Sequence, residues 1–171
     1  MLFRSADVFA AMRPELLMVP SEVVAQETLA HIGAPTLQRF LVGAAQRDEA
    51  WNAAAVHRIV DTVGEESPYL WTVTVGPVDA PALARVAERA TVTVSDLVRD
   101  PEDRTGSLQA LVLMRARDGH DLLMPEDEAD IRVGDVLLLA ATASAQHSLD
   151  ATLFIDSSAS YVLTGDREGA G

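Results

Sequence analysis

The spacing of apolar residues changes at Pro68, and no other feature of the chain constrains its fold more. Upstream, apolar residues recur at helical spacing. Downstream, Tyr69, Trp71, Val73 and Val75 alternate with Leu70, Thr72 and Thr74, the two-residue period of a strand. A chain that is helical first and sheet-forming second reads as α+β: an N-terminal helical arm, then a small mixed or antiparallel β-sheet domain with packed helices.

The arm spans 21–65. Ser21 is an N-cap with Glu22 in the first turn, and that helix runs to about Ile32, where Gly33 and Pro35 end it. Thr36 caps a second helix, in which Leu37, Phe40, Leu41, Ala44 and Ala45 form one stripe. A third starts at Asp48, carries Val56, Ile59, Val60 and Val63, and stops at Gly64. Stripes this narrow bury against each other or against a second subunit. In 1–20, Ala6 to Met12 is a short helical pattern. Leu16-Leu17-Met18-Val19, halted by Pro20, reads as a buried parallel strand with no partner nearby.

Beyond Pro68, Asp79 caps a helix with Pro81 in its first turn, Ala90 to Val94 is a short strand and 95–107 a charged loop. Leu108 to Met114 is a strand that reverses at Arg117-Asp118-Gly119-His120 and returns over Asp121 to Met124. Val136 to Ala141 is a buried strand, Ser144 to Asp150 a short helix, and Leu153 to Ile155 and Tyr161 to Leu163 edge strands. The tail, 166–171, is expected to be disordered.

Composition excludes several functions. All 13 basic residues are Arg, against 26 Asp plus Glu, for a net charge of −13, which argues against nucleic acid as a partner. With no Cys, a disulfide framework, a thiol nucleophile and a Cys-ligated zinc are excluded. The apolar run Val136–Ala141 is far short of the roughly twenty residues a spanning helix needs. The N-terminus lacks a secretory h-region, so a protein of a reducing compartment is expected.

No enzyme site emerges. His31, His57, His120 and His147 fall in segments of different type, and no Gly-x-Ser-x-Gly elbow occurs. Without Gly-x-Gly-x-x-Gly or a Walker loop the residues specify no nucleotide cofactor. Two clusters remain. Arg115, Arg117 and His120 gather at one end of the hairpin, where Arg forks suit an anion, or an exposed turn carries ordinary charges. Glu126, Asp127, Glu128 and Asp130 could offer oxygens to a cation, or form a solvated loop. They lack the EF-hand spacing.

The strand Ala110-Leu111-Val112-Leu113-Met114, the turn Arg117-Asp118-Gly119, the Leu123-Met124-Pro125 step and Gly134-Asp135 opening Val136 to Ala140 together resemble the RCK (regulator of potassium conductance, TrkA-C) family. Leu16 to Pro20 followed by Ser21 to Glu27 is similar to the last strand and following helix of that family's Rossmann-like N-terminal subdomain. The resemblance implies a remnant of that subdomain in 1–20, a crossover and dimerisation arm in 21–65 and a TrkA-C-like regulatory domain in 66–165. It further implies a non-enzymatic, ligand-sensing cytosolic domain of a potassium channel or transport system, gating by dimer rearrangement at the inner face of the membrane. The implied partners are a second copy, a membrane pore domain and a small-molecule or cation regulator. The alternative is a ligand-free assembly module of a membrane transport complex.

Overall fold

Six consecutive apolar residues in an extended segment need cover on both sides, and the fold is organised around supplying it. The computed structural model describes residues 34–64 and 67–165. In chain order these form α1 (Ala34–Ala45), α2 (Glu49–Val63), β1 (Tyr69–Thr74), α3 (Pro81–Ala87), β2 (Val92–Thr93), α4 (Val94–Leu97), β3 (Ala110–Arg117), β4 (His120–Leu123), β5 (Asp130–Ile131), β6 (Val136–Ala141), α5 (Ala143–Phe154) and α6 (Asp156–Thr164). The fold is α+β. The expectations for 1–20, the helix ending at Ile32, His31 and the tail 166–171 lie outside the described residues.

A four-stranded antiparallel sheet runs β1-β6-β3-β4, and β2 pairs with β5 in a two-stranded one. Leu137 and Leu139 of β6 enter one core with Val73, Leu83, Leu97, Val112, Ile131, Leu149 and Val162. Leu138 and Ala140 enter the other, with Leu37, Phe40, Ile59, Val63, Leu70, Leu113 and Leu123. Thus α3 to α6 cover one face of the sheet and α1 and α2 the other. The stripes of the arm's described helices are buried against this chain's own sheet rather than only on each other. Trp71 sits at the margin of the first core, while Tyr69 is 40% exposed.

The β3–β4 hairpin closes through Asp118 and Gly119, both at positive φ (50° and 78°), as a tight two-residue turn requires. Opposite β6, strand β3 carries a bulge: Val112 pairs with Leu139 and Met114 with Leu138, leaving Leu113 as the additional residue. Leu113 and Met114 therefore both face the second core, as does Ala116, and Arg115 and Arg117 turn to the opposite side. Uninterrupted alternation from Leu111 would have driven both arginines into the α1–α2 core.

Several local expectations need correcting. Leu153 to Ile155 and Tyr161 to Leu163 are not edge strands: Leu153 and Phe154 end α5, Ile155 is the junction, and Tyr161 to Leu163 lie in α6. The Thr142 hydroxyl caps α5 by accepting from Ala145 N at 3.3 Å. The buried positions Ala145, Leu149, Thr152 and Leu153, then Ala159, Val162 and Leu163, follow helical spacing that the two short triplets conceal. The 95–107 segment begins as α4, held by a capping box in which Thr93 Oγ1 accepts from Asp96 N and Asp96 Oδ2 accepts from Thr93 N. Asp79 does not cap α3. Its carboxylate accepts from Thr74 N at 3.2 Å, and Ala80 stands at the cap position. Thr36 lies inside α1, whereas Asp48 does cap α2, accepting from Trp51 N at 2.8 Å.

Candidate functional site

Among the described residues Asp135 is the one buried carboxylate, its side chain 1% exposed, and Arg117 of the candidate anion cluster is aimed at it. It follows Gly134, whose φ of +92° only glycine adopts without strain, in a turn closed by Asp135 N donating to Arg132 O at 3.1 Å. The turn is fastened to the end of β1 by Gly134 N to Val75 O and Val75 N to Asp135 O, each 2.8 Å. A carboxylate so placed needs partners. Arg117 supplies two, Nε to Oδ1 at 2.6 Å and Nη2 to Oδ2 at 2.7 Å, and Arg132 N donates to Oδ2 at 2.8 Å.

Asp130, on β5, completes the arrangement. Arg117 Nη1 donates to its Oδ2 at 3.1 Å and Nη2 to its carbonyl at 3.0 Å. Arg115 Nη1 reaches the same carbonyl at 2.7 Å and Oδ1 at 3.0 Å. Arg132 forms a third ion pair with Asp130 from the solvent side. Burial pushes the Asp130 carboxyl up, but hydrogen bonds and charge from Arg117, then from Arg132, outweigh it and hold the group below the usual carboxylate range. The hydrogen bond to Asp135 raises the Arg117 pKa above its ordinary value against the opposing effect of burial.

The structure thus brings Arg115 and Arg117 together, but around protein carboxylates. Three guanidinium groups face two carboxylates, and the one open to solvent is Arg132, 68% exposed. His120 is the cross-strand partner of Arg117, yet its Nδ1 lies 3.0 Å from the Asp118 carbonyl at the exposed hairpin tip. An incoming anion would have to displace charge-assisted, fork-shaped pairs to engage Arg115 or Arg117.

The acidic run does not converge. Asp127 accepts from Arg58 Nη2 at 2.8 Å, Arg58 Nη1 donates to Pro125 O at 3.2 Å, and Asp130 is held by the three arginines. Glu126 and Glu128 stand exposed on the rim of an open groove between α2 and this loop, whose floor includes Ala55, Leu111 and Met124. Among the described residues no group of three or more His, Asp or Glu side chains is arranged to hold a metal ion.

Sequence reasoning missed Asp135 as the hub, Arg132 as a third arginine and Arg58 as the anchor of the acidic loop. The available signal was an aspartate directly preceding a continuous apolar strand, a position too deep to be left without an arginine partner. Neither a protein-family model nor a curated protein sequence matches the chain. Among the described residues no helix is long and apolar enough to cross a membrane.

Proposed function

We propose that residues 66–165 form a non-enzymatic, TrkA-C-like regulatory module, cytosolic and held at the inner face of the membrane, that senses a ligand for a potassium channel or transport system. The observation that carries the reading is the meeting of the residues on which the RCK resemblance rests. Arg117, beside the Asp118-Gly119 turn, and Asp135, after Gly134, are 18 positions apart and joined at 2.6 Å. In such a module two copies pair, and a ligand that binds one pairing geometry more tightly than another shifts the population toward it. The displacement is passed to a pore domain, and the coupling is limited by the ligand's difference in affinity for the two states.

A second reading, a ligand-free assembly module of a membrane transport complex, is favoured by the neutralisation of Arg115 and Arg117 by Asp130 and Asp135. Light scattering on a sizing column tests pairing: a dimer or larger is expected, and a strict monomer at high micromolar concentration would overturn the gating reading. Thermal-shift measurements with cyclic dinucleotides, nucleotides and Ca²⁺ separate the two readings. A regulator at a hundred times its Kd stabilises by about 2.7 kcal/mol, a shift of several degrees. No shift with any of them selects the assembly module.

A further inference from the structure

The groove between α2 and the acidic segment after β4 has a volume of about 660 Å³, within the range of roughly 300–1,000 Å³ that small-molecule sites occupy. Its floor is apolar: Ala55, Leu111 and Met124 are buried, and Trp51 stands in the α2 wall. Its rim is acidic. The charged residues that line it are Arg58, Glu126, Asp127 and Glu128, one cation against three carboxylates. Arg58 is answered by Asp127 at 2.8 Å. That leaves Glu126 and Glu128, which are exposed and make no ion pair or side-chain hydrogen bond among the described residues. Arg47 lies over the Trp51 ring, 5.6 Å from its centroid, but lines the separate groove beside α1.

We propose that this groove binds a small organic cation with an aromatic or branched apolar body. The body removes the floor from water, and the charged centre stays beside Glu126 and Glu128, held by attraction that needs no coordination geometry. The indole of Trp51 adds a face that attracts cations. Other ligand classes fit less well. A bare metal ion finds no converging side chains among the described residues. An anion meets the excess charge of the rim and of the whole chain, −13. A neutral apolar molecule gains the floor but nothing from the rim. The binding does not rest on the regulatory reading, which stands or falls on pairing.

Trp51 and Trp71 are the chain's two tryptophans, and they pack against opposite cores. In the full chain carrying Trp71→Phe, tetraphenylphosphonium is expected to change Trp51 fluorescence saturably. It should bind about tenfold or more tightly than tetraphenylborate, which has the same shape and the opposite charge. Calorimetry on the unmodified chain should give the same order. Because the net charge also favours the cation, the local readout is Glu126→Gln with Glu128→Gln, which should weaken tetraphenylphosphonium binding about tenfold. Glu88→Gln with Glu102→Gln removes the same charge from exposed positions outside the groove and should weaken it by less than about twofold. Ala54→Arg, at an exposed position of the α2 wall, should weaken it about as much as the first pair. All five positions are exposed, so the fold is kept. Equal affinity for the phosphonium and the borate, equal losses in the two glutamine pairs, or no Trp51 response, as when another part of the chain or a second copy covers the groove, each overturns the proposal.

Discussion

Arg117 Nε donates to Asp135 Oδ1 at 2.6 Å, joining the end of the β3–β4 hairpin to the turn that launches the central strand. Asp135 is 1% exposed and Arg117 20%, so this ion pair lies largely outside the screening of water. Removing the carboxylate leaves a guanidinium against an apolar wall, and Asp135→Ala is expected to cost about 3 kcal/mol in urea unfolding. The double variant Arg117→Met with Asp135→Leu should lose less than the two single changes added together. Strict additivity would show that the pair is not coupled.

Acid should act through Asp130. Its carboxyl is held below the usual range, so its contribution is complete above the unfolded-chain pKa of about 3.9 and is lost as pH falls through the lower folded-state value. Asp130→Asn is therefore expected to lower Tm at neutral pH and to flatten the fall in Tm between about pH 4 and 2. A melting profile parallel to that of the unmodified protein would assign the acid sensitivity to other groups.

Leu138 and Leu139 are neighbours on β6 with no exposed surface, and they enter different cores. In a sheet with one solvated face only one of them would matter. Here Leu138→Ala and Leu139→Ala should each cost about 3 kcal/mol, within the range for buried leucines. Val133→Ala, at a 45% exposed position two residues before Asp135, should stay within about 0.5 kcal/mol.

Thr93 is expected to contribute through its cap. Thr93→Ala removes the hydroxyl that accepts from Asp96 N and should cost about 1 kcal/mol, with Thr93→Ser restoring most of it. Equal stability of the Ala and Ser variants would mean that α4 is held by Val94 and Leu97 packing alone.

Much of the architecture was legible because periodicity is a local signal. The strand over Val136–Ala141, the hairpin turn at Asp118-Gly119, the Asp48 cap and the Gly64 stop all lie where residue type and spacing put them. The errors arose where a short window could not separate the periods: Leu153 to Ile155 resembles a strand until Ala145 and Leu149 are counted with it. Within the site, Arg115 and Arg117 were recognisable as a pair on one strand, but their partners were not. Asp130 and Asp135 reach them through tertiary pairing of β5 and through the bulge at Leu113, and neither leaves a mark at short range.

The bulge also lets β3 carry one residue more than its partner without changing the side on which the arginines stand. Deleting Leu113 would make Val112 and Met114 consecutive opposite Leu139 and Leu138, and plain alternation would still turn Arg115 and Arg117 away from the α1–α2 core. What would flip the hairpin is regular pairing with Leu113 retained, a slip of one residue that buries two guanidinium groups under the helices and turns Met114 and Ala116 outward. Any redesign or grafting of this hairpin must therefore keep the bulge together with its additional residue, or omit both.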